Sequence, residues 1–334
     1  MSSKPVPCSD QSLARGDPMY GTASAGSAWL LLELSGAWGN SAFLQSPTII
    51  DPDLGRSIVR RAEQAGMRIA AIRRHGRRPA TPRWRWYVAR ADPGAEALFR
   101  GEVDDPRGYA DLALDGSDGE PCDGPLIAVC AHGTHDQCCA VRGRSACRAI
   151  AQEFPENTWE CSHLGGDRFA ATMLVLPEGL CYGRVDTTDS AALIRRYREG
   201  RLDNRFLRGR TSLPHAVQAA QYFAREQTGD DRIDAFAPLD VERADGRTVV
   251  TLSGRAGPVV VTLEEQMSEP LLSHRRFDAE ERLDALQAAP AQGEREAHRQ
   301  QQQAEAQPQQ LAQLQQVESA AEQGAAGPGD GAGQ

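Results

Sequence analysis

The chain has 334 residues and a formal net charge of −9, which is length for two small domains and the wrong sign for a general nucleic-acid binder. Lys4 is its only lysine, and with abundant alanine and glycine this reads as coding bias before anion recognition. Its first apolar run, AWLLLEL, contains Glu33, has no basic leader or cleavage site, and is far too short to span a bilayer. A cytoplasmic location is therefore expected, where clustered thiols serve metal or redox chemistry rather than structural disulfides.

Residues 1–26 are rich in Ser, Gly and Pro and lack periodicity; they read as a disordered arm, with Cys8 an incidental exposed thiol. A first domain, 27–118, opens with the buried strand AWLLLEL. A helix is predicted over 51–65, with Ile58, Ala62 and Ala65 on one face and Gly66 as its stop. MRIAAIRR, RWRWYVARA and ALFRGEV follow as strands, and DPRGYADLAL as a short helix. No cysteine lies between Cys8 and Cys122, so this half cannot form a thiolate-ligated centre alone and is assigned to packing or docking.

A second domain, 119–228, repeats that order. PLIAVC is a strand, and residues 137–154 form a helix with Ala146, Ile150 and Phe154 on one face. TWECSHL is a strand, TMLVLPEGLCYGRV is a hairpin turning at Pro177-Glu178-Gly179, and Asp186 to Asp189 cap a helix ending near Gly200. An accessory β unit, 229–286, and a Gln-, Ala- and Gly-rich disordered tail, 287–334, complete the chain. The pattern by itself specifies an α/β fold.

Seven of the eight cysteines fall between Cys122 and Cys181, with three of the seven histidines. The run Cys130-Ala-His132-Gly-Thr-His-Asp136-Gln-Cys138-Cys139, followed by Trp159-Glu-Cys161-Ser-His163-Leu-Gly-Gly, resembles the sucrase/ferredoxin-like family of thioredoxin-like [2Fe–2S] ferredoxins. The likeness continues through RFAATMLVLPEGLCYGRV and, more loosely, over residues 25–265. It implies tandem thioredoxin-like halves, the second ferredoxin-like. It also implies a cluster held by two cysteines and an H-x-x-x-H pair. Cys130 and Cys139 match the cysteine positions and His163 the first histidine, whereas Asp167 stands where the second histidine belongs. A carboxylate there would lower the potential and loosen the cluster.

Cys161, Cys138, His132 and His135 are the other candidates for the fourth ligand. Cys161 shares a strand face with His163 at i and i+2. Cys138 adjoins Cys139, and neighbours seldom aim both side chains at one metal pair without strain. Cys147 and Cys181 read as small buried hydrophobes, Cys122 as incidental, and Asp136 as a loop or helix cap. A [2Fe–2S] electron carrier is thus the leading functional reading. A cluster-free thiol protein and a structural zinc protein are the alternatives, the first weakened by the lack of a C-x-x-C pair. The family's name also suggests sucrose hydrolysis, but no recognisable glycosidase carboxylate pair is present, which favours a carrier over a hydrolase. The segment 195–210 carries seven arginines against Glu199 and Asp203, a solvated helix face or a docking patch for an acidic redox partner.

Overall fold

A computed structural model describes residues 6–76 and 81–264. The low-complexity tail and the end of the accessory unit lie outside these residues. A helix, α1 (Cys8–Ala14), comes first. The next elements are β1 (Ala28–Glu33), α2 (Pro52–Gln64), β2 (Arg68–Arg73), β3 (Trp84–Arg90), β4 (Ala97–Val103) and the edge strand β5 (Glu120–Pro121). A second run has β6 (Leu126–Cys130), a π-helical turn (Cys139–Gly143) leading into α3 (Arg144–Glu153), β7 (Thr158–Cys161), β8 (Met173–Leu176), β9 (Leu180–Tyr182) and α4 (Ser190–Arg198). The described chain closes with β10 (Leu207–Arg210), α5 (His215–Thr228), β11 (Pro238–Ala244), β12 (Arg247–Leu252) and β13 (Val259–Glu264).

In each run the first two strands are parallel, the third is antiparallel to the first, and the fourth to the third. The runs are not separate bodies. Strand β2 pairs antiparallel with β7, matching Ile72 to Cys161 and Arg73 to Glu160, and joins everything into one ten-stranded sheet. Both helices following a first strand cover the same face. Ile58 and Ala62 of α2 pack on Leu30, Leu32 and Val88, while Ala146, Cys147 and Ile150 of α3 pack on Ile127, Val129 and Met173. The alternate residues Trp29, Leu31, Ile72, Cys130, Trp159 and Leu174 form a third core on the opposite face, continuous across both runs. Strands β11 to β13 make a small separate sheet, whose Val250 and Leu252 meet Val217 and Ala220 of α5.

The N-terminal arm departs from expectation. Residues 8–14 are helical, and Cys8, Ser9 and Ser12 are buried. The cause is not local, since the stretch has no apolar stripe of its own. Arg142 Nε donates to Ser9 Oγ at 3.1 Å and its Nη2 pairs with Asp10, while Arg184 Nη2 donates to the carbonyls of Ser12 and Asp17 at 3.2 and 2.9 Å. Two arginines from the second run thus dock a segment whose composition reads as disordered. Strand β10, also unanticipated, forms by pairing with β9.

Gly143 is where α3 touches the sheet. A Cβ there would run into the carbonyl group of Cys130. Gly143→Ala should therefore destabilise the protein by about 2 kcal/mol or more, read from urea unfolding; an unchanged midpoint would mean that α3 can ride higher on β6.

Candidate metal centre

The site sits where β6 and β7 end side by side. Their parallel register matches Cys130 to Cys161, and the Ala131 amide donates to the Cys161 carbonyl at 3.1 Å. Both chains then leave the sheet at the same end, where parallel α/β units place their loops for chemistry. After β6, Asp136 caps the coming helical turn: its Oδ1 accepts the amides of Cys138 and Cys139 at 2.7 and 3.2 Å. After β7, Gly165 and Gly166 adopt left-handed φ of 89° and 85°, which only glycine takes without strain. That turn brings Asp167 back toward His163.

The result is a convergence of donors. One donor atom each from Cys130, Cys139 and His163 lies within 4.8 Å of the others. Asp167 belongs to two neighbouring groups held to the same limit, with His135 and His163 and with Asp136 and Cys139. Its Oδ1 is 3.1 Å from His163 Nδ1 and 3.7 Å from Cys139 Sγ. The imidazole N–H is not aligned with that oxygen, so the contact is one of charge, and Nδ1 stays buried without a hydrogen-bond partner.

Electrostatics separate these residues from the other thiols. The hydrogen bond from Cys139 draws the Cys130 thiol well below its ordinary range despite burial, and His163 adds to the effect. Cys139 moves up in return, holding its proton against the Cys130 thiolate. Burial pulls His163 down, but Cys130 and Asp167 outweigh it and leave the imidazole above its usual value. Cys161 and Cys147 have burial as their dominant influence, and it drives both upward.

The remaining candidates are distributed differently. Cys161 is fully buried and belongs to none of the donor groups among the described residues. His132 Nε2 lies 2.7 Å from the Gly39 carbonyl oxygen, while its buried Nδ1 has no partner. Its ring begins a stack that continues to His135 at 5.5 Å and to His163 at 3.9 Å, between ring centroids. The His132 end of the stack lines a cavity of about 530 Å³, together with Trp38, Arg73, His75 and Arg144. Cys138 points elsewhere, to a thiol dismissed as incidental: its Sγ is 3.8 Å from Cys8 Sγ. Cys8 is 2% exposed, because α1 is docked rather than loose. The only sequence signal of that docking is Pro7 ahead of Asp10 at a helix start, too slight to say where the helix packs. Of the seven arginines in 195–210, Arg208 and Arg210 are buried, and Arg195, Arg196, Arg201 and Arg205 pair with carboxylates of this chain.

The sequence model of one protein family, described as sucrase/ferredoxin-like, matches residues 19–209. No curated protein and no solved structure matches the chain. Cys8 precedes the matched span; Cys130, Cys138, Cys139, His163 and Asp167 lie within it.

Burial raises Asp167 to about 6, against the opposing charge of His163. A raised carboxylate means that the folded state keeps a proton the unfolded chain releases. Without metal, this contribution to stability should be full below about pH 4 and lost as pH rises through about 6. His163, also raised, acts in the same direction. Asp167→Asn should flatten the slope in urea titrations of metal-free protein, whereas a wild-type stability that climbs across this window would contradict the assignment.

Proposed function

The chain belongs to the sucrase/ferredoxin-like family, and we propose that it is a cytoplasmic redox protein built to hold a [2Fe–2S] cluster through mixed cysteine and histidine ligation. In this reading each run of elements is a thioredoxin-like half, and only the second carries donors. The observation behind it is the meeting of Cys130, Cys139 and His163 within 4.8 Å. Two chain segments have to converge for that to happen, and the donors are the soft thiolates and imidazole that iron–sulfur centres use.

The donor set fits the group. Cys130 favours the thiolate form that ligation requires. His163 presents a buried ring nitrogen with no hydrogen-bond partner, an unmet demand that a metal would satisfy. Asp167 takes the fourth place of the motif, close enough to serve as a ligand or to steer the imidazole. When bound, the cluster supplies one-electron chemistry; the chain's part is to orient donors, exclude water and hold protons. A protonatable His163 ligand makes the potential pH-dependent. A redox partner with an acidic face would meet Arg195, Arg198, Arg201 and Arg205, the exposed arginines of the 195–210 segment. The same three donors also suit a single structural zinc.

Metal, sulfide and visible absorbance of anaerobically purified protein test the reading. Two irons and two sulfides per chain are expected, and iron-free, colourless protein would overturn it. Cys130→Ser and Cys139→Ser should each abolish cluster retention. Cys147→Ser and Cys181→Ser should keep the cluster and lose only stability, because both residues sit inside packed elements. With Asp167 as a ligand, Asp167→His should retain the cluster and raise its midpoint potential, since a neutral donor replaces an anionic one. An unshifted potential would remove Asp167 from the ligand set.

A further inference from the structure

One group of metal-binding side chains contains none of the donors assigned to the proposed cluster. Cys8, Asp136 and Cys138 are all buried, and a donor atom from each lies within 4.8 Å of the other two. Asp136 and Cys138 come from the loop and helical turn after β6. Cys8 arrives on α1, from 130 positions away in sequence and from outside the span that the family matches.

The geometry is that of a coordination site. The two sulfurs stand 3.8 Å apart, and two thiolates bound at about 2.3 Å to one tetrahedral ion are separated by about that distance. A disulfide would require them to close to about 2.05 Å. Asp136 gives Oδ1 to the amides of Cys138 and Cys139, which leaves its second oxygen for a ligand. Ser9, beside Cys8 on α1, is itself buried and accepts a hydrogen bond from Arg142 Nε at 3.1 Å, so this end of the helix is fixed against the loop. Arg142 holds this end of α1 by its contacts with Ser9 and Asp10. Arg142 is itself matched by Asp10 and Asp186, so two thiolates and a carboxylate would leave one net negative charge on a divalent ion. Consecutive residues of a helical turn point about 100° apart, so Cys138 and Cys139 can serve separate sites.

We propose that Cys8, Asp136 and Cys138 bind one zinc ion, with a fourth position open to water, and that this ion pins α1 to the start of the helix after β6. Binding displaces the thiol protons and transfers no electrons. The site adjoins the proposed cluster, because Asp136 also lies within 4.8 Å of the Cys139 and Asp167 donors, but it shares no ligand with it.

The full chain, purified without chelator, equilibrated with zinc and freed of excess, should carry one zinc per chain beside whatever iron it holds. Cys8→Ser should weaken zinc binding more than about 100-fold, beyond the effect of losing an outer-shell partner, and leave iron and sulfide unchanged. Asp136→Asn keeps an oxygen to cap the helix, so it should weaken zinc while preserving the fold, and it covers the case in which Cys8→Ser is unstable. Cys130→Ser, aimed at the other donors, should keep its zinc. With cobalt added instead, the sulfur-to-cobalt charge-transfer band should appear in wild type and vanish in Cys8→Ser. Three results would overturn the proposal: no zinc in wild type, two thiols missing from a denatured, unreduced thiol count, or loss of iron together with zinc in Cys8→Ser. The last would place Cys8 in the cluster site instead. Absence of iron throughout, with the zinc response intact, would refute the cluster reading alone.

Discussion

The parallel pairing of β6 with β7 is the constraint on which the site depends. Its register matches Cys130 to Cys161, and that fixes two exits from the sheet at one end. From one exit the chain runs through the Asp136-capped turn to Cys139; from the other, two residues carry it to His163. A slip of one residue would turn Cys130 to the opposite face of the sheet and remove it from the site. The register is anchored on both sides. Ile127, Val129 and Ile150 pack on the helix face, while Ala128, Trp159 and Leu174 pack on the other. Gly143 lets α3 lie directly against the Cys130 carbonyl.

Burial alone does not distinguish a ligand from a core residue. Cys130, Cys147 and Cys161 are all shut away from solvent. They diverge because Cys130 has partners that favour its ionised form, the Cys139 thiol and His163, whereas burial dominates at Cys147 and Cys161. A buried thiol near opposite charge and hydrogen-bond donors is prepared for a metal; one surrounded by aliphatic side chains is a small hydrophobe. The same contrast sets Cys138 apart, for the neighbouring Cys8 thiol draws it below its ordinary value despite burial.

The edge pairing of β2 with β7 has its own consequence. It turns two runs of similar strand order into one sheet, so the cysteine-free first run becomes part of the site's support. Ser162 exchanges hydrogen bonds with Ala71 across that seam, one residue before His163. Glu160, on the helix face of the same seam, is held by Arg73 and His75 at 2.9 Å each. The packing role assigned to the first half thus has a definite form: it braces the strand that delivers the histidine.

Much of this was legible in the residues themselves. Apolar runs and alternation located most strands from β1 to β9, and the helices α2, α3 and α4 announced themselves by periodicity and caps, because those signals are local. The gathering of thiols and imidazoles where strands end was legible too, and the family resemblance singled out Cys130, Cys139 and His163 among them. What the sequence could not decide was everything resting on long-range pairing. The docking of α1 depends on Arg142 and Arg184, and β10 exists only because β9 offers an edge. Two predicted domains became one sheet through the β2–β7 seam. Cys8 has no neighbours in sequence that mark it, and only the folded chain places its sulfur beside Cys138. Local chemistry is written along the chain, but which distant groups share a site is fixed by the register of strands and the seating of helices.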